Sequence, residues 1–249
     1  MCTTCGCQNT EAHSHQPAHQ SQSIALEKAI LETNDRYADQ NRAFLRAKNS
    51  VALNFVSSPG SGKTSLLETT IRRLSSKYKI AVIEGDQQTR LDAERIEKAG
   101  AKAWQINTGK ACHLDAHRVG HAFAHLSIET GSFVFIENVG NLICPSMFDL
   151  GEQHRVALIS TTEGEDKPLK YPDMFYYADT VVINKIDLLP YLDFNLAVCI
   201  QNIHKIRKEA RIFEVSVKDG SGVDKWCLWL KSLMRSPLDI PNERLTHFD

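Results

Sequence analysis

The chain has 249 residues, 42% hydrophobic and 24% charged, with a formal net charge of −1, which is ordinary globular composition with length for one large domain and an arm. Near-neutral charge gives no electrostatic case for a nucleic-acid or membrane partner, and no apolar run approaches the roughly 20 residues that a membrane helix needs. The N-terminus lacks a basic patch followed by an apolar core, so it does not read as a secretion signal. A cytoplasmic protein is expected, whose seven cysteines are free, metal-bound or catalytic.

Residues 1–22 are polar and biased, with Cys2, Cys5 and Cys7 in MCTTCGC followed by His13, His15 and His19. A terminus is a poor place for a disulfide and a reasonable one for a tethered metal claw, so this segment reads as a flexible metal-binding arm. Residues 23–48 follow as an amphipathic helical segment, with Ile24, Leu26, Ala29, Ile30, Tyr37, Phe44 and Leu45 at helical spacing. From 49 to 234 short apolar runs alternate with helical ones. Strands are predicted at 51–56, 79–85, 101–106, 132–138, 155–161, 179–185 and 211–216. Helices are predicted at 63–76, 89–99, 113–127, 193–209 and 221–234. This alternation implies an α/β fold with a mostly parallel sheet of about seven strands. Residues 235–249 form a polar, Pro-containing tail.

The turn after the first strand reads SSPGSGKTS, Ser57 to Ser65. Its residues Pro59, Gly60, Ser61, Gly62, Lys63, Thr64 and Ser65 have the character of a P-loop: glycines let backbone N–H groups face phosphate oxygens, and the helix that follows adds free donors. Lys63 is expected on the β- and γ-phosphates and Thr64 on magnesium. Ser57 stands where the motif has its first Gly.

Downstream, NKID (Asn184, Lys185, Ile186, Asp187) follows a strand. An aspartate there accepts two hydrogen bonds from the N1–H and 2-amino edge of guanine, and adenine would leave its carboxylate unpaired. Lys185 would lay its stem over the base, and Ser216 and Lys218 of SVKDG sit where GTPases contact the guanine oxygen. Asp86 of EGD and Glu137 of ENVGN each close a strand at its carboxyl end, where open α/β sheets bind ligands. Asp86 is a candidate for the magnesium shell or for orienting water. Glu137 takes the Walker-B position, and Gly140 is placed to sense the γ-phosphate.

Cys112-His113 and Cys144-Pro145 lie beyond strand ends on that same edge. Thiolate and imidazole suit zinc or nickel. Three ligands leave a site incomplete, to be finished by water or by a second copy of the chain. Cys199 and Cys227 sit in apolar helical runs and read as small core hydrophobes. His113, His117, His121 and His125 recur every four residues; an i, i+4 pair can bind metal, but most of this series reads as a solvated stripe, with His117 a possible outer ligand.

MCTTCGC, SSPGSGKTS, EGD, ACHLDA, ENVGNLICP, NKID and SVKDG occur in one order, and in this the chain resembles the HypB family of hydrogenase-maturation GTPases, over about residues 50–234 and the first seven. The resemblance implies a dimerising P-loop GTPase of the SIMIBI class that uses GTP and Mg2+ and helps insert Ni2+ into the [NiFe]-hydrogenase large subunit. Cys2, Cys5 and Cys7 would form a tight nickel site, completed by the amino group or a backbone nitrogen, a donor set that favours square-planar Ni(II). Cys112, His113 and Cys144 would form a weaker Zn2+/Ni2+ site. The partners implied are a second copy of the chain, a HypA-type nickel/zinc protein and the hydrogenase large-subunit precursor. A urease-type nickel-insertion GTPase would share the P-loop and NKxD but not the cysteine patterns. A P-loop small-molecule kinase would have no use for NKID. The sequence shows no arginine finger, so slow turnover is expected.

Overall fold

Seven runs rich in branched and aromatic residues form seven strands: β1 Val51–Ser57, β2 Ile80–Asp86, β3 Lys102–Asn107, β4 Phe133–Glu137, β5 His154–Ser160, β6 Thr180–Asn184 and β7 Arg211–Val215. They make one sheet, in the order β3-β2-β4-β1-β5-β6-β7, and every pairing is parallel. The computed structural model describes residues 17–86, 91–109 and 111–234, without the side chains of 17–27 and Asp86. The cysteine claw and the tail of 235–249 lie outside the described residues.

A parallel sheet is covered on both faces, so its inner strands are apolar without alternation. All of β4 and β6 is buried, whereas the edge strands β3 and β7 mix buried and exposed positions. Helices α1 Pro17–Ala47, α2 Lys63–Leu74, α3 Leu91–Ala99, α4 Ala116–Leu126, α5 Cys144–Met147, α6 Lys167–Lys170, α7 Pro172–Tyr176, α8 Leu196–Ile206 and α9 Val223–Leu233 supply the cover. On one face Leu66 and Ile71 of α2, Ile96 of α3 and Trp226 of α9 pack over Leu53, Phe55, Phe133 and Phe135. On the other, Val119 and Phe123 of α4 with Leu45 of α1 pack over Ala52, Ile83 and Val134. Beside them Phe175 of α7 with Cys199 and Ile203 of α8 cover Val56, Ile159 and Ile183. Burial pushes the Cys199 thiol up to about 12, and Cys227 is buried too.

Periodicity does not reveal α5, α6, α7 or the 3-10 turn Ile186–Tyr191, because one turn or so carries too few positions to show a face. Helix α1 begins six residues before the expected start at Ser23. By its contacts the chain divides after Thr33; in the first unit Lys28 and Glu32 form an i, i+4 ion pair. In the second unit, Asn34 and Asn41 lie two helical turns apart on one face of α1. Asn41 donates to the Ala116 carbonyl at 2.8 Å and the Leu150 carbonyl at 2.9 Å. Asn34 donates to the Asp149 carbonyl at 2.7 Å and accepts from the Ala116 N–H at 2.9 Å. Close approach demands glycine at 151, whose φ is +88° and whose added Cβ would lie 2.5 Å from the Ala38 carbonyl oxygen.

Asn41→Ala leaves two buried carbonyls short of a donor and is expected to cost roughly 1–3 kcal/mol for each. Urea denaturation of the variant and the parent measures this; equal midpoints would mean that solvent replaces the asparagine.

Candidate nucleotide and metal site

Between β1 and α2 the backbone must reverse and leave its N–H groups pointing outward. Gly60 and Gly62 do this at φ +74° and +100°. A Cβ on Gly62 would fall 2.4 Å from Asn184 Nδ2, because Asn184 reaches across to donate to the Ser61 carbonyl at 2.9 Å. Lys185 donates to the Gly60 carbonyl at 2.8 Å. Residues of NKID therefore hold the P-loop from behind while its other side stays open. Ser57 hosts the end of Lys63, whose ammonium donates to its Oγ at 2.8 Å, and Ser61 Oγ donates to the same oxygen at 2.6 Å. The serine in place of glycine thus serves as an internal acceptor for the lysine.

In front of the loop lies a cavity of about 610 Å3, lined by Pro59 to Ser65, Glu84, Asp92, Arg95, Glu137 to Gly140 and Lys185. Thr64 donates to Glu137 Oε1 at 2.8 Å. Glu84 Oε1 and Glu137 Oε2 are buried without a hydrogen-bond partner, and the two acids interact directly. Burial, then the charge of Glu137, pushes the Glu84 acid well up; burial raises Glu137 as well. Burial also lowers the Lys63 ammonium, against the pull of both carboxylates. Two buried acids with orphaned oxygens beside a threonine hydroxyl fit a hard divalent cation such as magnesium.

Sequence reasoning chose Asp86 and passed over Glu84. Glu84 stands two residues before Asp86 in EGD, and the intervening Gly85 is needed because a Cβ there would meet Leu114 at 2.9 Å. The side chain of Asp86 lies outside the described residues, and its backbone pairs with Asn107 at the end of β2. Arg95 was also missed. It reaches the cavity from α3 and binds Glu68 at 2.6 Å, Asp92 at 2.9 Å and Ser65 at 3.2 Å. No motif marks it.

At the end of NKID, Ser216 Oγ donates to Asp187 Oδ1 at 2.8 Å, and the Asp219 N–H donates to Ser216 Oγ at 3.3 Å. The hydroxyl of Ser216 thus positions Asp187, and Lys218 is exposed.

The donor atoms of Cys112, His113 and Cys144 all lie within 4.8 Å of one another, the one such group of three among the described residues. Cys112 Sγ is 3.7 Å from His113 Nδ1. Cys144 beside it raises the Cys112 thiol, and burial lowers the His113 imidazole, a shift in the direction of the neutral form that binds metal. The four-residue histidine series is broken at its start: His113 precedes the N-cap Asp115 of α4 and stacks on Phe148 at 3.9 Å. One segment joins the two sites. Gly140 lies against Pro59, where an added Cβ would touch its ring at 3.0 Å, and Asn141 donates to the Cys112 carbonyl at 3.3 Å.

Glu84 and Glu137 hold their protons to higher pH in the fold than in the unfolded chain. Their contribution is full below about pH 4.5, the ordinary value, and is lost as pH rises through the folded values. Thermal melts of the nucleotide-free protein should fall across that rise, and Glu84→Gln should flatten the fall. Parallel curves would place the cause elsewhere.

Residues 51–214 match the family model for the CobW/HypB/UreG nucleotide-binding domain. The chain is 54% identical over 238 residues to the hydrogenase maturation factor HypB of Azotobacter vinelandii, covering 94% of this chain and 78% of the relative. The crystal structure of HypB from Archaeoglobus fulgidus aligns with TM-score 0.78 and 41% identity, over 82% of this chain and all of that one. HypB from Helicobacter pylori in complex with nickel aligns with TM-score 0.78 and 40% identity, over 82% and 95%. The P-loop, the NKID clamp and these likenesses agree: the chain belongs to the CobW/HypB/UreG family and, within it, to the HypB P-loop GTPases.

Proposed function

We propose that the chain hydrolyses GTP and serves as a nickel chaperone for maturation of the [NiFe]-hydrogenase large subunit, with GTP-dependent dimerisation coupled to metal transfer. The observation that carries this reading is the continuous segment from Glu137 in the nucleotide cavity through Gly140 and Asn141 to Cys144 in the thiolate–imidazole cluster. The name of the relatives, and the nickel in the H. pylori protein, support the substrate and the cargo.

In this reading Asp187, held by Ser216, accepts the N1–H and 2-amino hydrogens of guanine, and Lys185 lies along the base. Lys63 leaves Ser57 for the β- and γ-phosphates, and the P-loop N–H groups bind phosphate oxygens. Thr64 and Asp86 would hold magnesium, with the unpartnered oxygens of Glu84 and Glu137 near Thr64 as further donors. That ion, when bound, neutralises phosphate charge and polarises the transferred group. Asp86 and Glu137 are the candidates for orienting the attacking water. Pro59 and Gly140, in contact, pass movement at the γ-phosphate end to Asn141 and so to the Cys112 carbonyl and Cys144. Cys112, His113 and Cys144 supply three donors, so water or a second copy of the chain completes the site. Cys2, Cys5 and Cys7 deliver nickel from the arm. A HypA-type protein and the large-subunit precursor are the proposed partners. A cytoplasmic setting is consistent with this, and none of the described helices is long and apolar enough to cross a membrane.

Asp187→Asn exchanges one acceptor for a donor, so it should weaken GTP binding at least ~100-fold and favour xanthosine triphosphate, whose 2-oxo group accepts. Fluorescent-nucleotide titration reads this, and unchanged GTP affinity would remove Asp187 from the base site. Nickel titration of the reduced protein with and without GTP and magnesium, followed by thiolate charge-transfer absorption and sedimentation, tests the coupling. A GTP-responsive site lost in Cys112→Ser/Cys144→Ser is expected. A response absent from the parent would leave a GTPase whose cysteines serve another purpose.

A further inference from the structure

Asn54 stands in the middle of β1, fully buried between Leu53 and Phe55. Ala52 and Val56, on its own face of the strand, belong to two separate apolar clusters, so Asn54 occupies the seam between them. A buried amide is costly unless it is hydrogen-bonded. On one side Asn54 Oδ1 accepts from Asn138 Nδ2 at 3.2 Å. Asn138 directly follows Glu137, and its own Oδ1 accepts from the Leu114 N–H at 3.3 Å, one residue past His113. On the other side Asn54 Nδ2 donates to Glu152 Oε1 at 3.2 Å. That oxygen also accepts from Arg155 Nε at 2.8 Å and Nη2 at 2.7 Å. Arg155, opposite Asn54 in the β1–β5 register, donates in turn to the Ser146 carbonyl at 2.7 Å and the Phe148 carbonyl at 2.9 Å. Ser146 lies two residues past Cys144, and the Phe148 ring stacks on His113.

We propose that Asn54 and Arg155 are positioning residues of the thiolate–imidazole site: with Asn138 and Glu152 they form a buried bar that holds the Cys112–His113 loop and the Cys144 segment at one separation. The two ends of the bar carry this inference. Each ends on backbone groups just past a ligand, on loops that follow different strands. Two such loops share an ion only if their spacing is set, and groups that orient ligands from behind tune metal affinity. Arginine suits the task because its planar fork meets a carboxylate and two carbonyls at once. Asn138, beside Glu137, also gives the nucleotide cavity an inner route to both loops, in addition to the outer one through Asn141. The positioning role rests on the metal site alone. The inner route rests on the proposed coupling of GTP to metal.

Cobalt(II) chloride, titrated anaerobically into the reduced full-length chain with Cys2, Cys5 and Cys7 replaced by serine, tests this through thiolate charge-transfer and d–d absorption. The parent should show a band that Cys112→Ser/Cys144→Ser removes. Asn54→Leu deletes both hydrogen bonds of Asn54 at similar volume. It should weaken cobalt binding ~10–100-fold and shift the d–d bands, with GTP affinity unchanged. Arg155→Lys keeps the charge beside Glu152 without the fork and should act in the same direction. Parent affinity and spectrum in either folded variant would overturn the proposal, and so would a lower melting temperature as the sole effect. Should neither variant fold, the parent decides. The side-chain amide signals of Asn54 and Asn138 in 15N-asparagine-labelled protein, identified by their mutual Overhauser contact, should shift when one equivalent of zinc(II) binds, and unmoved signals would overturn the role. A parent without the cobalt band would overturn the metal site and the bar's role with it. A band that GTP leaves unaltered, with affinity still lost in the variants, would count against the coupling alone.

Discussion

An ammonium group at Lys63 is buried against two carboxyl groups, Glu84 and Glu137, at the mouth of a loop whose backbone donors face outward. Burying charge is costly unless it is paired. Here the pairing is partial: Lys63 rests on Ser57, Thr64 holds one oxygen of Glu137, and one oxygen on each acid has no partner. Such a site is in suspense. It is most readily satisfied by a polyanion that meets the lysine and the N–H groups, together with a cation that meets the acids. The surrounding structure maintains that imbalance rather than relieving it. Asn184 and Lys185 occupy the carbonyls of Ser61 and Gly60, so the loop cannot collapse onto its own donors.

The parallel sheet makes this possible. All strands point the same way, so every loop that follows a strand emerges on one edge. The P-loop follows β1, Glu84 lies near the end of β2, Glu137 closes β4 and Asn184 closes β6. Cys112 and Cys144 emerge beyond β3 and β4. Strand order then sets neighbours: β4 lies between β1 and β2, so the segment after Glu137 touches Pro59 on one side and reaches the Cys112 loop on the other. Nucleotide and thiolates share a wall because β4 sits in the middle.

Much of the site was legible locally. A glycine-rich turn between an apolar run and a helix can be read from spacing, and so can NKID after a strand, since both depend on contiguous backbone. Cys112, His113 and Cys144 were legible as donors because each stands next to a recognisable turn. That they share one site was expected from their places beyond strand ends on one edge and from the family resemblance, and the fold brings their donor atoms within 4.8 Å of one another. Glu84 and Arg95 escaped for different reasons. Glu84 looked like a strand residue upstream of the obvious carboxylate, and only burial against Glu137 singles it out. Arg95 is one charge on an amphipathic helix, like many that face water. The hydroxyl of Ser216 has a further part that spacing did not show, a hydrogen bond to Asp187.

What the sequence by itself determined is the local grammar: seven strands, the helices long enough to show a face, and the two loops with the character of a P-loop and of NKxD. Each of these depends on hydrogen bonding and periodicity within a dozen residues. Tertiary structure alone decided which side chains share a cavity, because that is set by strand order and by close packing across the sheet. It turned Ser57 from a departure in a motif into the seat of Lys63. It separated His113 from the histidine series that it begins, since Asp115 caps the helix after it and Phe148 draws its ring away.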